Sequence, residues 1–237
     1  SSACPPAASP MCFNQPSSLA ALAVGLTTAY AAFAYGYTVL SVLIFIVALM
    51  QLSEFLIWRG LDTQASAIVD TTGELVDGTT LNRAGTALAR TTLGLHGVAV
   101  CIAVLVFAMP AQRWRRYGLV LCTLVAIAMY GLTVDAPHGQ TTQAGCASGC
   151  RLKWGFVVHP YSYNTIFAVV VLALLLSRVP PLQTLCIFVF YSLTWVAALA
   201  TAKTGRVWEA VSTSWCYASS FGSPLLVGTL VGLGVAA

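Results

Sequence analysis

The stretch from Tyr37 to Trp58, YTVLSVLIFIVALMQLSEFLIW, contains one ionisable side chain, Glu54, and is closed by Arg59-Gly60. About 20 apolar residues rising ~1.5 Å each cross a ~30 Å hydrocarbon core as a helix, which satisfies its backbone hydrogen bonds internally. Outward from this segment the same pattern repeats. An earlier run covers about 17–34, is opened by the turn-forming Asn14-Gln15-Pro16, and is joined to the second only by Tyr35-Gly36-Tyr37. Later runs cover about 84–109, stopped by Pro110, and 117–134, stopped by Asp135-Ala136-Pro137. Three more cover about 160–177, 181–202 and 210–236, the sixth opened by Pro180-Pro181. The chain thus reads as all-α, a polytopic integral membrane bundle of seven transmembrane helices. Residues 17–237 form one domain behind a Pro/Ala/Ser-rich tail, 1–16. A six-span reading requires the first two helices to be re-entrant.

Composition agrees. Of 237 residues 58% are hydrophobic and 8% charged, with a mean hydropathy of +0.84, whereas soluble domains carry about 25% charged residues. That is too little charge to coat a globule in water, and a lipid-facing surface needs almost none. The net charge of +4 is scattered over loops without a basic tract, which argues against a nucleic-acid partner. Tyr30, Trp114, Tyr117, Trp154, Tyr161, Trp208 and Trp215 fall near expected span ends, where amphipathic rings suit the headgroup layer. Residues 1–16 show no charged n-region or apolar h-region, so the first span is expected to insert the chain itself. The opening Ser1 fits either a trimmed initiator methionine or a removed leader.

Seven alternating spans sort the loops onto two sides. The N-terminal side receives the long loops 59–83 and 135–159, rich in Thr, Gly, Gln and Asp. Cys101, Cys122 and Cys186 fall within spans and read as small packing residues. Cys4, Cys12, Cys146, Cys150 and Cys216 all face the N-terminal side, a distribution that suits an oxidising compartment. Cys146-Ala147-Ser148-Gly149-Cys150 is spaced to close a small ring, and Cys12 reaches Cys216 if the first and seventh helices are neighbours. A thiolate metal site is the alternative, although only one short cysteine pair exists. Basic residues point the other way: Arg59, Arg83, Arg151, Lys153, Lys203 and Arg206 on the N-terminal side outnumber Arg113, Arg115, Arg116 and Arg178. With the cysteines given more weight, the N-terminus and long loops are expected on the oxidising, non-cytoplasmic side.

Ionisable groups in hydrocarbon cost ~2.5–3.5 kcal/mol on insertion scales, so each needs a partner or a reason. Glu54 and Arg90 fall at comparable depth in neighbouring spans, where they either pair or snorkel separately to the interface. His96, deeper in Leu93-Gly94-Leu95-His96-Gly97, is either a hydrogen-bonded core residue or a ligand to a cofactor such as haem or a pigment. Asp135, His138, His159 and Glu209 gather near helix ends on the N-terminal side. Asp135 and His159 are weak metal candidates there, since no His-x-x-x-His or Glu-x-x-His pair sets two ligands on one helical face. No lysine lies within a span to form a retinal Schiff base, and three histidines at different depths fit a ceramidase-type zinc site poorly. A Gly-rich phosphate loop, a nucleophile elbow and an inverted repeat of broken helices are also missing. Gly228-x-x-x-Gly232 reads as a helix-contact stripe.

Several short motifs, taken in order, resemble an uncharacterised family of small polytopic membrane proteins. These are Met11-Cys12-Phe13-Asn14, Gln51-x-x-Glu54 with Trp58, Leu95-His96, the Cys146/Cys150 pair, Trp154 with Pro160-Tyr161, and Thr213-Ser214-Trp215-Cys216. The similarity spans about residues 11–217. The family is similar at its start (Met-Cys-aromatic-Ser) and near its end (Ser-x-Trp-Cys); Asn14, Thr213 and His159 depart from its pattern. The resemblance supports the topology, strengthens a Cys12–Cys216 pairing and marks Glu54, His96 and Trp215, but implies no reaction.

With no catalytic constellation, the leading expectation is a non-catalytic structural or accessory subunit held by other membrane subunits. The alternatives are a small-solute or ion transporter or receptor with a polar cavity around Glu54, Arg90 and His96, and a metal-dependent membrane enzyme.

Overall fold

A computed structural model describes residues 14–66, 78–135, 139, 141–143, 152–153, 160–200 and 207–235. Among them are seven α-helices: α1 (Gln15–Ala34), α2 (Thr38–Ser66), α3 (Gly78–Phe107), α4 (Arg113–Asp135), α5 (Pro160–Leu176), α6 (Pro181–Ala200) and α7 (Val207–Gly232). Between α4 and α5, β1 (Thr142–Gln143) and β2 (Leu152–Lys153) form a minimal antiparallel ladder, Thr142 opposite Lys153. The fold is all-α apart from this clasp.

The helix ends follow from local chemistry. Asn14 caps α1 reciprocally: its side chain accepts from Ser17 N at 3.0 Å and its own N–H donates to Ser17 Oγ at 2.9 Å. Gly36, at φ +86°, takes the left-handed turn that lets Tyr37 N–H reach Ala32 O at 2.8 Å and reverses the chain into α2. Pro110 follows the end of α3, and its carbonyl accepts from Arg116 Nε at 2.8 Å. Pro224 interrupts the ladder of α7; the Ser220 carbonyl it strands is taken by Ser223 Oγ at 2.8 Å.

Two boundaries differ from the sequence reading. Helix α2 runs on to Ser66 past Arg59-Gly60, and α3 starts at Gly78, so the expected loop 59–83 shrinks to 67–77, outside the described residues. One interior glycine costs a helix about 1 kcal/mol, too little to end one packed against a neighbour. Gly60 and Thr63 on α2, and Asn82 and Thr86 on α3, are buried. The α2/α3 hairpin therefore extends beyond its apolar portion.

Helix α2 lies at the centre, packed against α1, α3 and α7; α3 also meets α4 and α5, while α6 rests on α7. The chain alternates between two ends of the bundle. At one end Tyr37 Oη donates to Val235 O at 2.8 Å and Arg178 N–H to Ala108 O at 2.8 Å. At the other, Asn82 near the start of α3 holds Thr141 beyond α4. Leu40, Ile44, Val47, Val100, Val104 and Leu230 lie in the main apolar core.

The exterior is equally apolar. Phe33, Phe45, Val106, Leu121, Leu175 and Leu225 are all exposed, whereas Ser18, Gln51, Glu54, Asn82, Thr86 and Ser219 are buried. Water would favour the reverse; hydrocarbon favours this arrangement. Among the described residues four helices are long and apolar enough to cross a membrane: Gln15–Ala34, Thr38–Thr63, Thr79–Phe107 and Arg113–Asp135; shorter apolar helices are Thr165–Leu176, Pro181–Ala197 and Ala218–Gly232. Tyr30, Trp114 and Tyr117 are exposed, as a headgroup belt requires. Gly228 and Gly232 are exposed with open space where a Cβ would stand, so their stripe is not packed within the bundle.

Candidate functional site: a buried polar cluster on the central helix

The spacing of Gln51, Glu54 and Trp58 puts them on one face of α2. Their neighbours Met50 and Ile57 turn that face inward, packing with Ala89 and Leu93 of α3, Cys216 of α7 and Leu152 of β2. Gln51 and Glu54 are wholly buried and Trp58 is 4% exposed. Neither Gln51 side-chain atom, neither carboxyl oxygen of Glu54 and not Trp58 Nε1 has a hydrogen-bond partner among the described residues. Leaving one such buried group unmade costs ~1–3 kcal/mol. Here three neighbours on one helix carry that cost, and a full negative charge on Glu54 would lack compensation. A side-chain set of this kind is suited to an occupant that supplies the missing donors and acceptors.

The other helices contribute at the edges. Cys216 lies within electrostatic reach of Glu54, and Tyr191 of α6 within reach of Cys216. Arg90 is buried, 9% exposed, and engaged in an interaction of its own. That interaction is not an ion pair with Glu54, whose oxygens accept nothing from the described residues. The two options for Glu54 and Arg90 thus both fail for Glu54: it neither pairs with Arg90 nor snorkels, because its face of α2 is turned into the bundle. His96 Nδ1 lies 2.8 Å from the Thr92 carbonyl. A carbonyl only accepts, so Nδ1 carries the hydrogen and Nε2 presents its lone pair. Nε2 is buried without a partner among the described residues.

Thr141 and Leu152, both between α4 and α5, pack onto this end of the α2/α3 pair. Asn82 grips Thr141 twice, donating from Nδ2 to its carbonyl at 2.8 Å and accepting from its N–H at 3.0 Å; Thr86 Oγ1 meets Thr141 Oγ1 at 2.8 Å. All three residues are fully buried. Leu152, 1% exposed, belongs to the apolar cluster that includes Trp58 and Cys216. Sequence reasoning missed this packing. Asn82 and Thr141 are too far apart in the chain to announce a contact, though Asn82 near a helix start was a visible polar signal.

The sulfur chemistry departs from expectation. Cys216 is a free, buried thiol, as are Cys101 and Cys122, and Cys186 is free and half-buried. A Cys12–Cys216 bridge therefore finds no support: Cys216 is a free thiol buried in the interior beside Met50 and Ile57 of α2. Cys12, Cys146 and Cys150 lie outside the described residues, as do His138 and His159. Asp135 ends α4 and is exposed. Among the described residues no three His, Cys, Asp or Glu side chains meet as a metal site. Trp215 and Glu209 lie on α7, but their side chains are outside the description.

No protein-family model, curated protein or solved structure matches this chain.

Proposed function

We propose that the chain is a seven-span integral membrane protein that takes up a small hydrogen-bonding solute inside its bundle, as a transporter or receptor. Glu54 is the binding carboxyl, and Gln51 and Trp58 complete the set. The carrying observation is the run of three buried, unpartnered polar side chains on one face of α2. A bare cation satisfies Glu54 and the Gln51 carbonyl but leaves the indole N–H and the amide N–H donors unmet. A solute with both donors and acceptors satisfies all of them. The seven-span reading is supported by the apolar exterior, by four helices of full crossing length and by the sorting of connections to two ends. The resemblance noted above marks Glu54 as well.

The test is a thermal-unfolding screen of nanodisc-embedded protein against neutral amino acids, small amides, guanidinium and monovalent cations, followed by flux of any hit in proteoliposomes. Glu54→Gln should erase the stabilisation and the flux. Unchanged responses in that variant end this reading. A second reading, an accessory subunit, is favoured by the open Gly228/Gly232 face of α7, which offers a close-packing surface to another membrane helix. Crosslinking from Gly228→Cys to a co-purifying subunit in native membranes supports it; a protein that stays monomeric there rejects it.

A further inference from the structure

Helices α5 and α6 are joined by the short turn at Ser177–Pro180 yet barely touch: α5 leans on α3 and α4, and α6 on α7. Between them lies a cavity of about 340 Å³, at the lower end of the ~300–1,000 Å³ typical of small-molecule sites. Leu93 and His96 of α3 form its floor, Ile166 and Val170 one wall, and Ile187 and Tyr191 the other. Phe167, Phe188 and Val196 also line it and are 44%, 44% and 58% exposed. It therefore opens sideways through apolar residues of the kind that cover the rest of the exterior. From Thr184 to Val196 the α6 wall extends ~18 Å at ~1.5 Å per residue, which makes the space long and narrow.

We propose that this crevice binds a single-chain lipid bearing a terminal hydroxyl, entering from the bilayer, with its hydroxyl donating to His96 Nε2. The shape and lining select one hydrocarbon chain. The floor selects the head. Because Nδ1–H is committed to the Thr92 carbonyl, Nε2 accepts and does not donate, and it is buried with no partner among the described residues. A neutral donor satisfies it without bringing a charge into hydrocarbon, so a long-chain or isoprenoid alcohol fits where a carboxylate does not. Gln51, Glu54 and Trp58 are not among the residues that line the crevice, so the proposal does not depend on what they bind.

The experiment uses full-length protein in nanodiscs and a diazirine-bearing hexadecanol as photoprobe. The expected result is crosslinking to peptides of α5 and α6, competed by hexadecanol about fivefold better than by hexadecane, the ratio a neutral hydrogen bond of ~1 kcal/mol supports. His96→Phe should remove the preference for the alcohol and His96→Gln, which keeps an acceptor, should restore it. Val170→Trp, which fills the crevice, should abolish labelling. Circular dichroism and thermal unfolding select the variants that fold, and Glu54→Gln should label as the parent does. Equal competition by hexadecane and hexadecanol, a preference for palmitate, or loss of the preference in Thr184→Val with its retention in His96→Phe overturns the assignment. Thr184 matters as a control because it also lines the crevice and its Oγ1 has no partner among the described residues.

Discussion

Replacing Gly85 by alanine probes the contact that holds the candidate site in place. Gly85 sits on α3 where it meets α2. A Cβ there would stand 2.8 Å from Ile57 Cγ1, 2.8 Å from the Ser53 carbonyl oxygen and 3.0 Å from Ile57 N. The Ile57 side chain has some freedom to yield; two backbone atoms of a packed helix do not. The helices must part by several tenths of an ångström next to Glu54. Overpacking costs ~1–3 kcal/mol, and two contacts with unyielding backbone put this site at ~2–3 kcal/mol; alanine's better helix propensity returns ~1 kcal/mol, leaving a net loss of ~1–2 kcal/mol. Gly228→Ala is the matched control, since its Cβ meets nothing within 4 Å among the described residues. It should be neutral or gain up to ~1 kcal/mol. Reversible unfolding in mixed detergent–SDS micelles, followed by circular dichroism and by tryptophan emission, measures both. A Gly85→Ala protein as stable as the parent would falsify the close α2/α3 packing on which the site rests.

Three further outcomes are expected. Asn82→Ala removes both hydrogen bonds to the Thr141 backbone, a loss of about 2–3 kcal/mol for buried groups; limited proteolysis should cut between α4 and α5 much faster, and an unchanged cleavage rate counts against the clasp. Glu54→Gln is nearly isosteric and replaces an unpartnered carboxyl by a neutral amide, so stability should stay within ~1 kcal/mol of the parent while solute responses vanish; a large loss of stability would mean that Glu54 has a structural partner. Cys216, free and fully buried, should react with maleimide far more slowly than half-buried Cys186 in folded protein and as quickly once unfolded. Peptide mapping of unreduced protein that finds Cys216 in a disulfide contradicts the placement.

Helix positions were legible because an apolar run of sufficient length is a one-dimensional signal. The run around Tyr37–Trp58, the capping Asn14 and the stops at Pro110 and Pro180 all carry that signal locally. The ends of α2 and α3 were not legible, since polar residues from Arg59 to Ser66 continue a helix only because a second helix lies against them. Position along a helix was readable, and Glu54, Arg90 and His96 are all buried. Direction around the helix was not. Equal depth left open whether Glu54 pairs with Arg90 or snorkels; the rotation that turns its face of α2 into the bundle, where Cys216 packs, decides against both. The same rotation accounts for Cys216, whose sequence neighbourhood says nothing about which way it points. Gln51 and Trp58 stood in plain view beside Glu54; their significance appears only when burial shows that no described residue answers them.

The central claim is an odd number of crossings by a bundle with a polar interior. It is tested most directly by fusing short epitope tags to the two ends of the chain and probing sealed, oriented vesicles with antibodies before and after permeabilisation. Seven spans predict that one tag is reached in intact vesicles and the other only after they are opened. Both tags reached together, from either side, contradict the account.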